Sequence, residues 1–448
     1  MHNRLLLLGL FAWSGLSAQD AFNAELLFHW YDSEIPGSNV YDNAYNECWG
    51  MVQDGREYAV IGTTLGTHIF DVTEPETAYE AAFVEGAVTG GIIIHRDFHD
   101  YNGYLYAVAD EGFSSLQIID ITGLPDAVEV VYDSSEHFQR SHNIFIDGNV
   151  LYVCGGNTTL DLYSLEDPEN PTLIIDCDQD VPGWSQIGYL HDIYVKDGIA
   201  YCNNGSQLYI VDFTDPSSPA VLGDISEYPE PGYNHSGWLH PDGNLYAMAD
   251  ETHGSDIKLI DVSDPSDLSV ITTFQSNVAE NSIVHNLIWN GDFLHVSHYY
   301  DGYYVWDCSD PANPVVAAYY DTCTIPHQFS YEGAWGVYPL LPSGNVIVSD
   351  MQEGLFLIRP ELSTGIEEQS TTAGAAFPNP AQAGTALTLP GAEGTNVAIT
   401  DGTGRLVTHC NADRQGRVTL PASLETGWYV LHTQNTATSL TYRVFCQR

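Results

Sequence analysis

Five histidines recur at nearly constant intervals in the 448-residue chain: His95, His142, His191, His235 and His285. Trp49 and Trp335 open similar segments before and after them, giving intervals of 46, 47, 49, 44, 50 and 50 residues. If the segments are copies of one unit, these openers converge on one place, together with the residues that end each copy's second strand. Those residues include Asp110, Glu111, Asp250, Glu251, His298 and Asp350. Neutral imidazole beside carboxylate suits Zn, Mn or a similar divalent metal, and a bound ion can activate water or stabilise an enolate-like anion. His253 would then serve as a base and Tyr299 or Tyr300 as an acid. A histidine repeated once per unit also has a purely structural use, bonding the neighbouring unit's backbone or an Asp, and both uses stay open at this stage. Asp176, Asp178 and Asp180 alternate as Ca ligands do, although Val181 stands where such a loop has its turn glycine.

The elements that would position these residues follow from the repeat. Residues 190–226 contain an opening His, an apolar strand, a Gly turn, a second strand rich in alternation, a third ending in Asp, and a fourth led by Pro. That pattern reads as four antiparallel strands. Seven copies at a period of 40 to 50 residues predict a seven-bladed β-propeller, an all-β fold, with the openers round a central channel. The seventh copy lacks a fourth strand, and residues 24–32, AELLFHWYD, form a strand without a unit of its own. The prediction is that this N-terminal strand closes the ring on the outer edge of the blade containing 335–359, leaving no exposed edge. The Asp-x-Ser/Thr-Asp-Pro runs at 212–216, 261–265 and 307–311 read as turns, because Asp and Ser bond nearby N–H groups and Pro presets the bend.

Charge narrows the partners. Twelve Lys and Arg against 60 Asp and Glu leave a net charge of −48, which repels phosphate backbones and anionic headgroups and excludes nucleic acid as a partner. Such acidity suits solubility in a cation-rich medium. Apolar residues at 44%, with 28 Tyr and 9 Trp, exclude a wholly disordered acidic chain. Residues 1–19 read as a secretory signal peptide, with Arg4 before the apolar run Leu5–Leu16, and no other stretch is apolar enough for a membrane helix. Export permits disulfides, and Cys308 with Cys323 and Cys410 with Cys446 are the expected pairs. From Glu361 to about residue 375 the chain reads as a polar linker, and residues 376–448 as a small C-terminal β-sandwich.

The recurring third strands, LYIVDF at 208–213, IKLIDV at 257–262 and LQIIDI at 116–121, resemble the LVIVD repeat family, and more specifically the exported proteins called choice-of-anchor B. The resemblance implies a propeller over residues 20–360 outside the cell, with no established activity. Ser164 and Arg359 replace the usual Asp, which puts the regularity of those two blades in question. Residues 376–448 resemble the sorting domain of type IX secretion cargo, through Pro378-Asn379-Pro380, Asp401 with Gly404-Arg405, and Gly427-Trp428-Tyr429. That implies a bacterium of the Bacteroidota type, recognition by the type IX secretion machinery, and release or attachment at the outer surface once the domain is removed.

The reading reached is a secreted binding or interaction module for a protein or glycan. Its rival is a metal-dependent hydrolase or lyase on extracellular polysaccharide, since some propeller lyases hold a metal in this manner by analogy; a third is a purely structural surface component. Tyr233, Trp184 and Trp238 are of the type that stacks on sugar rings, though core packing explains most such residues.

Overall fold

The computed structural model describes residues 20–362, 378–401, 406–424, 426–434 and 441–448. The expected leader at 1–19 and the expected linker beyond Leu362 lie outside them. The chain divides into two compact units, Met1–Leu362 and Ser363–Arg448.

Alternation of strand and turn folds the first unit into seven antiparallel sheets. The fourth shows the pattern: Asp192–Lys196, Ile199–Asn203, Leu208–Asp212 and Ala220–Ile225 pair in chain order. Asp212 ends the third strand by accepting the backbone N–H and hydroxyl of Thr214, and Asp261 does the same for Ser263. The Asp-Ser/Thr runs are therefore turns held by their own side chains. The middle strands of each sheet are covered on both faces, which is why they read as unbroken apolar runs. Between the first and second sheets, for example, Ile69 and Val60 pack with Phe98, Leu105 and Ile119. Outer strands such as Ala220–Ile225 are largely exposed.

The innermost strands touch in sequence round a closed ring, and Ala334–Tyr338 of the seventh sheet meets Tyr45–Gln53 of the first. This is a β-propeller. The N-terminal strand Ala24–Trp30 pairs antiparallel with Gly354–Pro360 as the outer strand of the seventh sheet, with Ala24 opposite Pro360 and Trp30 opposite Leu355. Leu27, Phe28 and Trp30 pack there against Ile35, Tyr45, Phe70 and Leu355. The dipeptide Ala21–Phe22 adds a fifth strand to the sixth sheet, opposite Tyr319 and Tyr320, which the sequence reading did not foresee. Ser164 and Arg359 are paired in their ladders, Ser164 opposite Val150 and Thr172, Arg359 opposite Glu25 with an ion pair at 3.4 Å, and both outer strand pairs carry a bulge like that of the fourth sheet.

In the second unit a five-stranded sheet and the two-stranded pair Ala386–Thr388 with Arg417–Thr419 share one core of Leu387, Val397, Ile399, Val418, Leu431 and Val444. Among the described residues no helix is long and apolar enough to cross a membrane.

Both expected disulfides need correction. All eight cysteines are free thiols. Cys410 and Cys446 lie on strands separated by two others, roughly 14 Å at the usual strand spacing and far beyond disulfide reach. Cys308 and Cys323 follow opposite ends of the ladder in which Tyr303 faces Tyr320 and Asp307 faces Val315. The Asp176–Asp180 segment forms a helical turn, not a calcium loop: Asp176 caps Gln179, Asp178 accepts from Thr159, and Asp180 accepts from the Asp176 N–H. Its carboxylates are thus already used on separate partners.

Candidate functional site

Each opening histidine enters the channel at the start of an innermost strand, and the five rings lie against one another, His95 stacked on His142 and the rest tilted. Ring centroids run 4.3 Å from His95 to His142, 4.0 Å to His191, 4.1 Å to His235, 4.4 Å to His285 and 4.1 Å on to Trp335. Trp335 closes the circle against His95 at 5.7 Å. Trp49 does not belong to this ring. The first and seventh innermost strands carry the same bulge, between Tyr45 and Cys48 and between Ala334 and Val337, so Asn46 matches Trp335 in register while Trp49 matches Tyr338 and lies deeper, beside His99 at 4.5 Å and Tyr338 at 4.9 Å. There it joins a second aromatic circle with Phe145, Tyr194 and Trp238.

Backbone carbonyls of neighbouring sheets fix the imidazoles. His95 Nε2 donates to the His142 carbonyl at 2.8 Å, His191 Nδ1 to that of His235 at 3.2 Å, and His285 Nδ1 to that of Trp335 at 2.8 Å. A carbonyl oxygen only accepts, so in each case the bonded nitrogen carries the proton and the other presents a lone pair. His142 Nδ1 is held at 3.0 Å by Asp110. Burial drives the pKa of His95 down to about 3 and those of His191, His235 and His285 well below the ordinary value, helped by their mutual repulsion. His142 goes the other way: burial alone would lower it, but the bond to Asp110 and nearby carboxylates raise it overall. Asp110 is correspondingly lowered, because His142 outweighs its burial.

Above the ring opens a cavity of about 620 Å³. Asp110, Glu111, Glu251 and His253 line it with all five histidines, so the fold brings this part of the candidate set together. Glu111 is occupied in holding the loop, accepting from the N–H groups of Ile94 and His95 at 3.0 and 3.1 Å. Glu251 accepts the Tyr299 hydroxyl, stands 4.0 Å from His235 Nε2, and is pushed up to about 7 by burial. Tyr299 reaches it from a left-handed backbone, φ 43°, an unfavourable place for a bulky residue. Tyr300 bonds Glu332 instead. One wall is aromatic: His253 lies 4.1 Å from Phe329 and 5.3 Å from Tyr331, and Tyr331 meets Tyr41 at 5.8 Å. Phe329 is 79% exposed and Tyr233 39%.

Asp250, His298 and Asp350 do not line the cavity. Asp250 is paired inside the fifth sheet with the fully buried Lys258 at 2.9 Å. Asp350 accepts from Thr322 and from the N–H groups of Gln352 and Glu353, shaping a turn. His298 is buried near Asp301 and Tyr304. Trp184 is core against Phe213, and Trp238 belongs to the deeper circle.

Below the histidines a cavity of about 60 Å³ is lined by a polar tier that the sequence reading missed: Glu47, Asp97, Asn143, Asp192, Ser236 and Asn286. Burial raises Asp97 to about 7 and Asp192 to about 8, and carries Glu47 well above its usual value. The signal was available, since four of the five histidines are followed directly by Asn, Asp or Ser where an apolar strand residue would otherwise stand.

A family model described as the LVIVD repeat matches residues 187–226 and 284–322, and one described as the secretion system C-terminal sorting domain matches residues 375–447. The chain therefore carries LVIVD repeats and a type IX sorting tail, which points to export and to a cell-surface or extracellular location. No curated protein matches. The β-propeller domain of Cps50 (Swd1) from Myceliophteria thermophila is similar in structure, with TM-score 0.50 and 11% identity over 75% of this chain and 98% of that one. The computationally designed Ika8 protein gives TM-score 0.45 and 9% identity over 72% and 98%. At such identity the likeness concerns the fold alone.

Proposed function

We propose that this exported propeller is a glycan-binding module of the bacterial surface, taking a neutral or amino-bearing sugar in the cavity above the histidine ring. The observation that carries the reading is the cavity itself. About 620 Å³ falls within the size of small-molecule sites, and an aromatic wall faces carboxylates across it. Tyr331, Phe329 and Tyr233 offer flat apolar faces to sugar C–H groups, while Asp110 and Glu251 accept from hydroxyls or an ammonium. A net charge of −48 disfavours uronate polymers. The reading includes a Sec-type leader at residues 1–19, a choice-of-anchor B architecture, and recognition of the tail by the secretion machinery of a Bacteroidota-type cell.

The test is retention on a panel of insoluble neutral, amino and uronate polysaccharides. Wild type is expected to bind a neutral or amino polymer, and Tyr331→Ala with Phe329→Ala to lose at least 10-fold in affinity at unchanged melting temperature. Retention only on uronates, or no effect of the double variant, overturns the reading. A second reading, metal-dependent cleavage of the same class of glycan, is favoured by Glu251 and Tyr299 standing next to the histidines; it predicts soluble products that vanish on chelation.

A further inference from the structure

We infer that the histidine ring is a metal centre: His142, His191 and His235 hold one divalent transition ion of the zinc class, with its open position facing the large cavity. One donor atom from each of the three lies within 4.8 Å of the others, and a second such group, His235 with Glu251 and His285, shares a residue with the first. Zinc–imidazole bonds of about 2.0–2.1 Å place tetrahedral ligands about 3.4 Å apart, so closure needs shifts of an ångström or so at side-chain tips.

Three features separate this cluster from a chance meeting of histidines. Orientation comes first. His142 donates Nδ1–H to Asp110 and His191 donates Nδ1–H to a backbone carbonyl, so Nε2 of each is left as the available donor. A carboxylate or carbonyl behind a ligating imidazole is the arrangement that fixes its tautomer and raises its basicity. Next, His235 is 3% exposed and its Nδ1 makes no hydrogen bond of good geometry, the His285 carbonyl being its one backbone neighbour, so its burial is only partly offset. Finally, the set is nitrogen-rich. Three imidazoles select borderline ions such as Zn²⁺, Co²⁺, Ni²⁺ or Cu²⁺ over Ca²⁺ and Mg²⁺, which want oxygen. With three protein ligands, the fourth position is left for water or a ligand atom, and Glu251 and Tyr299 are the groups that face it beyond His235.

A scaffolding role and a metal role predict different behaviour for one conservative change. In His191→Asn the amide nitrogen takes the place of Nδ1 and can keep the bond to the His235 carbonyl, while the position of Nε2 is vacated. The full-length protein, stripped with chelator, is titrated with Zn²⁺ alone and with Co²⁺ alone, following bound metal by elemental mass spectrometry and the visible Co²⁺ bands of a low-coordinate nitrogen site. Expected are about one ion per chain for wild type, intense visible bands, and a melting temperature raised by Zn²⁺. His191→Asn should keep the metal-free melting temperature and weaken Zn²⁺ binding beyond the roughly 10–100-fold caused by losing a partner behind a ligand. His240→Asn, whose histidine bonds Asp242 outside the ring, should bind like wild type. Weak binding of several ions, equal in all three proteins, would mean that surface carboxylates alone take up metal and would overturn the proposal. So would tight binding that His191→Asn leaves intact. Glycan retention is scored separately on the metal-free protein, so failure of the metal proposal and failure of the glycan reading are distinguishable.

Discussion

Ring closure by the N-terminal strand can be tested through Trp30. Its indole lies 4.7 Å from Phe70, 4.8 Å from His68 and 5.6 Å from Tyr45, so it joins the last strand of the ring to the first sheet. A fully buried Trp→Ala change costs about 3–5 kcal/mol, and Trp30 is only partly covered, so about 2–3 kcal/mol is expected. Unfolding entropy grows with size, and for a unit this large each kcal/mol corresponds to somewhat over 1 °C, giving a fall of roughly 3–4 °C. Leu26→Ala is the matched control, since Leu26 lies on the same strand at 36% exposure and should shift the transition far less. Calorimetry of the three proteins reads both values. Removing residues 20–32 altogether should do more than lower stability: it bares the apolar edge Leu355–Ile358 and should produce concentration-dependent association. If Trp30→Ala melts like wild type and the truncated chain stays monomeric, the strand is decorative and the closure argument fails.

Other consequences follow from buried charge and thiols. Lys258→Met strands the Asp250 carboxylate inside the fifth sheet and should cost about 3–5 kcal/mol in denaturant unfolding, much of it recovered in the double variant with Asp250→Leu. The pH profile of stability should be a dome. Buried histidines such as His95 and His298, at about 3 and 4 when folded, take up protons on unfolding, so stability falls as pH drops below about 6.5. Carboxyls raised by burial, Asp97 at about 7 and Asp192 at about 8, release protons on unfolding, so stability also falls as pH rises from about 4 through 8. A melting temperature rising steadily across that range would contradict the buried tier. All eight cysteines should titrate as thiols after denaturation, with Cys410 the most reactive in the native protein because the other seven are buried; fewer than eight would reveal a disulfide that the fold does not show.

Much of the fold was legible because most sheets repeat the same demands: apolar middle strands covered on both faces, Asp-led turns, and one residue at the channel. The spare strand at 24–32 could be placed because an open edge in a ring costs unpaired backbone groups. What escaped the sequence was local. Trp49 shares its residue type with Trp335, yet strand register matches it to Tyr338, and alignment by residue type has no access to that register. Asp250 and Asp110 occupy like positions in the repeat, yet Lys258 reaches through the fifth sheet to claim Asp250, while Asp110 is left to hold His142. The cysteines were paired by proximity in the chain, although strand order keeps them apart. Phe329, Tyr331 and Tyr41, the aromatic wall, come from long connections that belong to no repeat and so had no period to reveal them.

The cavity above the histidines is the proposed ligand surface. Hydroxyl-radical footprinting with and without a retained oligosaccharide tests this directly, because exposed aromatic residues are oxidised in proportion to their access. Tyr233, Phe329 and Tyr331 should be protected, while Tyr79 and Phe83, exposed on the outer strand of the first sheet, should not change. Protection of the outer strands with unaltered oxidation at Phe329 and Tyr331 would place the ligand on the blade edges and contradict the account.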